Sequence, residues 1–363
     1  MPAASAAISR DPRAEFTIEP VEIDDPRGDE ILVRIAAAGI CHTDLVSRAA
    51  GAADRPILLG HEGAGVVESV GADVRGVRPG DHVVLSYRHC GACRNCRLGR
   101  PAYCARATKL NQFGSRPDRT PRVRIGATTV RDGFFGQSSF AGYALATADN
   151  TVVVPPGTDP VVAAPLGCGF QTGAGAVLNA LRPEPGASLV VYGAGAVGMA
   201  ALLAAKTLDD VEVIVVELSP ERRSLAMEFG AAQALDPAGC NTTAAIADRT
   251  GGGATHALDT TGQPEVLANA VADLGIGGVV AVVGLGAGIP PIDLRDIVLS
   301  GKTIRGCLEG DAVPQRFIPE LLALHAAGRL PLERLVRSYP YTEINSALAD
   351  QRAGRVVKPV LTW

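Results

Sequence analysis

The chain has 363 residues, 34 basic and 38 acidic side chains, a formal net charge of -4 and 47% hydrophobic residues. One core rarely serves that length, so two domains are expected. No polybasic run or basic stripe interleaved with aromatics is present, which excludes a nucleic-acid footprint, and no stretch reaches the ~18 apolar residues of a membrane span.

The opening MPAASAAISRDPRAEF has neither a basic start nor a continuous apolar segment, so no leader is read and a soluble cytoplasmic protein is expected. Eight cysteines in that setting argue for metal or catalysis ahead of disulfides. Residues 15–40 read as alternating strands with a Pro/Asp/Gly turn at Asp24–Asp29, the start of a β-rich domain. Cys41-His42-Thr43-Asp44 follows, then Gly60-His61-Glu62-Gly63, so that thiol, imidazole, hydroxyl and carboxylates gather at two strand or turn ends. Glycine punctuation frames His82–Leu85 as a short strand.

Cys90, Cys93, Cys96 and Cys104 form C-x2-C-x2-C-x7-C within one short loop. Four thiolates saturate a tetrahedral Zn²⁺ and leave no open position, so such a metal would hold the loop and do no chemistry. An iron–sulfur cluster and a pair of disulfides are the competing readings of that spacing. Arg94, Arg97 and Arg100 would offset the negative charge of the four sulfurs. Residues 105–132 are polar, arginine-rich and without period, and read as a long surface loop. Apolar structure resumes at Phe134-Phe135 and 139–146. Gly167-Cys168-Gly169-Phe170-Gln171-Thr172-Gly173 then opens a small-residue helix.

From 186 to about 300 strands and helices alternate, which is the pattern of a doubly wound parallel sheet. Leu189–Tyr192 reads as a buried strand running into Gly193-Ala194-Gly195-Ala196-Val197-Gly198, then a helix at 199–208 and a strand at 211–216 ending on Glu217. Gly193 permits the tight turn, Gly195 lets a pyrophosphate approach the backbone, and Gly198 lets the helix lie close to the sheet. Glu217, about 20 residues beyond the glycines, suits adenosine ribose hydroxyls and therefore NAD over NADP. Arg222 and Arg223 could reach toward a 2′-phosphate, but beside Glu217 they read as a solvated helix face or an adenine-stacking arginine. Gly278–Gly286 reads as the last strand of this sheet, an open edge that invites a two-fold partner, so a homodimer or homotetramer is expected. After Lys302 the chain returns to the first domain, with a helix at 317–327 and a closing strand at 356–363.

The stretches CHTD (41–44), GHEGAGVVESVG (60–71), GDHV (80–83), CGACRNC with Cys104, GCGFQTGAG (167–175) and GAGAVG (193–198) resemble the zinc-dependent medium-chain alcohol dehydrogenases over nearly the whole chain and in the same order. Within that family LGCGFQTGAGAVLNAL, FFGQSSFAGYAL and FIPELLAL look most like the bacterial aryl (benzyl) alcohol dehydrogenases. The resemblance implies a GroES-like, β-rich catalytic domain over 1–169 and 310–363 and a Rossmann domain over 170–309. It makes Cys41, His61 and Cys168 the ligands of a catalytic zinc, with Glu62 a nearby carboxylate. Asp44 would orient the imidazole, as metal-bound histidines require. Thr43 would hold the alcohol and take its proton. His42 and Lys358 match positions at the cofactor pyrophosphate, or else form a solvated surface pair; Thr172 and Val197 match positions beside the nicotinamide.

The resemblance thus implies NAD and two Zn²⁺ per chain, and hydride transfer from a primary alcohol to NAD, reversibly giving the aldehyde. Hydride transfer needs donor and acceptor carbons within about 3–3.5 Å. Where many relatives carry a histidine three residues after the hydroxyl to finish a proton relay, this chain has Val46; the proton would pass from Thr43 and the ribose to water. Phe134, Phe135 and Tyr87, with Ser86 in place of a bulkier residue, would line a pocket suited to an aryl or allylic alcohol. Arg116, Arg119 or Arg131 could instead supply the cations for a glutathione adduct, which keeps a glutathione-dependent formaldehyde dehydrogenase as the second reading. A nonenzymatic cofactor-binding relative is the third.

Overall fold

A computed structural model describes residues 3–49, 56–114, 116 and 118–363. They form two compact units: Met1–Cys168 with Val313–Ala323 and Val336–Trp363, and Gly169–Ala312 with Leu324–Leu335.

The first unit is built on strand Glu30–Gly39, EILVRIAAAG, which is buried along nearly its whole length. It pairs antiparallel with Gly63–Val70 on one side and Lys358–Thr362 on the other, and with Tyr143–Thr147 near its start. His82–Leu85 and Thr151–Val153 extend the sheet beyond Gly63–Val70, and Val336–Pro340 lies beyond Lys358–Thr362. A second sheet orders Ile57–Leu58, Ala3–Ser9, Thr17–Ile23, Val123–Ile125 and Thr128–Thr129. Ile8, Ile31, Val33, Ile35 and Phe140 fill the core that serves both sheets.

Register decides where the chemistry falls. Ala38 pairs with Gly63, so the exit of the central strand toward Cys41 lies beside the entry of the next strand, just after His61 and Glu62. Ala64 pairs with Val84, which brings the exit of His82–Leu85 to the same end. Gly167 closes on that exit, since a Cβ there would stand 2.2 Å from the Leu85 carbonyl oxygen; only a glycine lets Cys168 come so near.

In the second unit six parallel strands are ordered Gln233–Leu235, Glu212–Val216, Ser188–Tyr192, Ala254–Asp259, Leu274–Val282, Thr303–Gly306. That is 3-2-1-4-5-6 in chain order, the doubly wound arrangement, with its switch point between Ser188–Tyr192 and Ala254–Asp259. Buried Val190, Ile214, Ala257 and Val280 make its core with Ile246 and Val271 from flanking helices.

Three expectations are corrected. Residues 105–132 are no plain surface loop: they hold a helix at Ala107–Asn111 and the strands Val123–Ile125 and Thr128–Thr129. Arg116 is buried against Glu30 and Asp24, and Arg122 against Asp132. These partners make burial of arginine tolerable, and most lie far away in sequence. Leu274–Val282 is an interior strand, and the edge belongs to the four-residue Thr303–Gly306, too short to stand out from its surroundings. Residues 324–335 belong with the second unit, where Arg334 pairs with Glu228 and lies over the Phe229 ring.

The cysteine loop is tied down by Asp149, whose carboxylate accepts from the Arg88 guanidinium, the His89 N–H and the Thr147 hydroxyl. Burial works to raise its pKa, but Arg88, Thr147 and His89 together hold the carboxyl below its ordinary 3.8. Stability from the charged form is then fully present above 3.8 and is lost as pH falls through the lower folded value. Asp149→Asn should lower the urea midpoint at pH 7, and the gap to wild type should shrink as both are titrated below pH ~4.

Candidate active site

Asp44, in the first turn of helix His42–Ala49, is 1% exposed. Its Oδ2 accepts the Cys41 N–H at 3.0 Å; its Oδ1 accepts the Gly60 N–H at 3.0 Å and lies 2.9 Å from His61 Nδ1. One carboxylate thus fixes the approach of both Cys41 and His61 and sets the imidazole's orientation. Burial alone would lower the His61 pKa; the charge and hydrogen bond of Asp44 raise it well above the usual range. The Cys41 thiol is pulled well below its usual range by Cys168 and by the neighbouring His61 imidazole, against burial.

Ligand atoms of Cys41, His61, Glu62 and Cys168 lie within 4.8 Å of one another. His61 Nε2 is buried with no hydrogen-bond partner among the described residues. A buried ring nitrogen without a partner costs free energy unless something coordinates it, and with two thiols beside it the donor set is that of a zinc site. The residues fit the metal. Cys41, His61 and Cys168 supply three soft or borderline donors.

Glu62 lies within this cluster and also pairs with Lys358, whose Nζ lies 2.5 Å from Glu62 Oε2 and donates to the Ile40 carbonyl at 2.9 Å. Both side chains are within 1% of full burial. Lys358 is therefore no solvated surface residue. Burial would lower its pKa, but Glu62 and the two thiols keep it protonated. Gly39 makes the pair possible, because a Cβ there would stand 2.0 Å from Glu62 Oε2.

Phe134 and Phe135 flank the imidazole, with Phe135 stacked at 4.5 Å and Phe134 edge-on at 5.3 Å. Phe134 also belongs to the core, whereas Phe135 is half-buried and holds φ at +51°. Ser86 is buried and its hydroxyl donates to the Gly167 carbonyl at 2.6 Å; Tyr87 is 3% exposed, its ring 6.3 Å from that of His89. Thr43 Oγ1 lies 3.7 Å from Cys41 Sγ, while His42 and Val46 face solvent on the same helix.

Sequence reasoning missed Gln137. Its buried amide accepts from the Gly63 N–H at 3.1 Å and donates to the carbonyls of His61 at 2.9 Å and Ser86 at 3.1 Å, lacing the two strand ends together. It stands in FFGQSSF, where nothing local marks it as anything but a loop glutamine.

Cys90, Cys93, Cys96 and Cys104 form a second cluster within the same 4.8 Å limit. Backbone N–H groups of Cys90, Cys93, Ala105 and Arg106 donate to its sulfurs at 3.3–3.5 Å. Donation from Cys96 and Ala105 brings the Cys93 thiol down to about 6, while burial and the neighbouring thiols push Cys96 up to about 12. Sulfurs this close compete for negative charge, and a divalent cation removes the competition. The site fits a second, closed zinc.

In the second unit Gly193 has φ +90°, and Gly198 packs so closely that a Cβ would stand 1.9 Å from the Gly193 carbonyl oxygen. Gly195 differs, because a Cβ there would meet nothing, and it caps helix Ala196–Ala205 with no side-chain cap. Open space before uncapped helix N–H groups is a cradle for a phosphate. Glu217 accepts from the Ala194 N–H at 2.6 Å and the Ser219 N–H at 2.9 Å, which fixes it beside the glycine turn. Arg223 is committed to the Glu217 and Leu218 carbonyls and to Asp236, whereas Arg222 Nε is buried without a hydrogen-bond partner among the described residues. Gly173 brings Thr172 toward Val197, since its missing Cβ would lie 2.0 Å from the Val197 carbonyl oxygen. The unit fits NAD.

These two folds and three sites define the class. The chain matches the alcohol dehydrogenase GroES-like domain over residues 27–156 and the zinc-binding dehydrogenase family over residues 196–327, and it belongs to the zinc-dependent medium-chain alcohol dehydrogenases. It is 47% identical to the geraniol dehydrogenase of Castellaniella defragrans over 99% of this chain and 98% of that one. The crystal structure of benzyl alcohol dehydrogenase from Acinetobacter calcoaceticus superposes with a TM-score of 0.95 at 42% identity, covering 100% of this chain and 99% of that one. The S-(hydroxymethyl)glutathione dehydrogenase of Komagataella pastoris is 31% identical over 98% of this chain and 97% of that one.

Asp44→Asn keeps the shape but loses the carboxylate. It should reduce zinc affinity at the Cys41–His61–Cys168 site about 10–100-fold, measured by competition with a chelator, and leave the four-cysteine zinc bound.

Proposed function

We propose that the chain oxidises primary aryl or allylic alcohols to aldehydes, reversibly, with NAD as hydride acceptor. The observation that carries this is the placing of Phe135: a half-buried aromatic ring stacked on the imidazole of a three-donor zinc site. A flat, unsaturated alcohol matches such a wall better than a charged or small aliphatic one. The geraniol and benzyl alcohol dehydrogenases among the relatives support the same class.

Bound zinc supplies a Lewis acid that polarises the alcohol oxygen, and bound NAD supplies the hydride acceptor. The chain's own residues do the rest. Cys41, His61 and Cys168 hold the metal, and Asp44 keeps His61 Nδ1 engaged so that Nε2 is the coordinating atom. Thr43 Oγ1, near Cys41 Sγ, would accept the alcohol proton while giving up its own. Val46, exposed on the next turn, carries no group that could take the proton further. Glu217 would accept hydrogen bonds from the adenosine ribose, and the N-terminus of helix Ala196–Ala205 would take the pyrophosphate.

The glutathione reading loses one of its three candidate cations. Arg116 is spent on Glu30 and Asp24. kcat/KM for benzyl alcohol or geraniol with NAD should exceed that for ethanol about tenfold or more, since each buried methylene is worth about 1–3 kcal/mol in an apolar pocket. Equal or reversed preference in a steady-state panel removes the aryl–allylic assignment, and turnover of S-(hydroxymethyl)glutathione above both establishes the other reading.

The chain also acts as an assembly of two-fold pairs. Ile276 and Ile289 are 92% and 91% exposed, and Leu285, Leu294, Val298 and Leu299 are exposed in the same 276–308 stretch that ends in the edge strand Thr303–Gly306. Apolar side chains beside a sheet edge suit a second copy, which extends the sheet and covers them at once. Sedimentation should show a dimer or tetramer, and Leu294→Asp with Val298→Asp should yield monomer. A monomeric wild type overturns this assembly.

A further inference from the structure

Away from the zinc ligands, the first unit has a cavity of about 440 Å³ lined by Phe113, Arg119, Arg122, Val130, Arg131 and Asp132 among others. That volume is within the range of small-molecule sites. Its charge is unbalanced. Asp132, the one acid among the lining residues, is paired with Arg122 at 2.9 Å. Arg119 and Arg131 have no acidic partner among the described residues, and both are exposed. The Arg131 guanidinium carbon lies 4.1 Å over the centre of the Phe113 ring, a cation–π contact that helps hold it at the cavity. Phe113, Pro121 and Val130 give the same cavity an apolar wall.

The cavity also touches the active site through rings. The Phe113 ring centroid is 5.3 Å from that of Phe134, and Phe134 is 5.3 Å from His61. Phe134 is 1% exposed, so a shift of Phe113 has little free space to absorb it before the imidazole feels it.

We infer that this cavity binds a small organic carboxylate with an apolar body, held by Arg119 and Arg131, and that its occupancy is transmitted to His61 through Phe113 and Phe134. The planar forks of the arginines match a carboxylate, and the apolar wall takes the remainder of the molecule. An acid of this kind is what oxidation of the enzyme's aldehyde product yields, so the site would report how far the following oxidation has run. The transmission to turnover rests on the alcohol dehydrogenase reading; the binding does not.

Benzoate is the probe. Calorimetry on the zinc-loaded enzyme, with saturating benzyl alcohol to occupy the substrate site, should show one benzoate per chain. Arg119→Ala with Arg131→Ala, both at exposed positions, should weaken it about tenfold or more, as loss of charge-assisted hydrogen bonds requires. At saturating benzyl alcohol and NAD, benzoate should change kcat in the wild type and not in the double variant. Undiminished binding to the double variant, or no binding to the wild type, overturns the site. Binding with unchanged kcat overturns the link to His61. Absence of any alcohol turnover, with benzoate still bound and still lost on substitution, places the failure in the alcohol dehydrogenase reading.

Discussion

The carboxylate of Asp44 is the constraint on which the catalytic centre rests. Its two oxygens bind the Cys41 N–H, the Gly60 N–H and the His61 ring nitrogen, so the backbone leading to two metal donors and the side chain of one are held by a single buried group. A charge this deeply buried is tolerable because every contact it makes is a donor. Around it, antiparallel register has already brought three strand ends together. Gln137 then laces two of those ends from outside, and Gly167 lets the third donor close in. The site is a product of pairing geometry first and of side-chain chemistry second.

In the second unit the controlling terms are steric. Gly193, Gly198 and Gly173 each sit where a Cβ would meet another residue at 2.6 Å or less, and so they set how closely turn, helix and neighbouring helix approach. Gly195 is the exception with space in front of it. The same short motif therefore contains two kinds of glycine, those that permit packing and one that leaves room for a ligand. Glu217, bonded to the Ala194 N–H, is oriented by the turn it serves.

What could be read in advance was whatever is local. The glycine turn, the alternating strands and helices that follow it, the four-cysteine loop and the CHTD and GHEG stretches all carry their meaning within a few residues. The interior arginines did not, because Arg116 looks like a solvated loop residue until Glu30, 86 positions earlier, is placed beside it. Gln137 and the Glu62–Lys358 pair were hidden for the same reason, as was the edge strand, whose four residues have no pattern of their own. Joining Cys41, His61 and Cys168 into one site needed the family resemblance, since their separation in the chain gives no hint of contact. Among the expected pocket residues, only position in the fold separates the half-exposed Phe135 from Ser86, Tyr87 and Phe134, which are buried.

Strand Lys358–Thr362 fills the place beside Glu30–Gly39, and its first residue neutralises Glu62. During synthesis the ribosome delivers that lysine almost three hundred residues after the glutamate it serves. Until then the amino-terminal sheet lacks an interior member and Glu62 lacks its counterion. The metal-holding unit therefore depends on a strand that leaves the ribosome after the whole inserted unit.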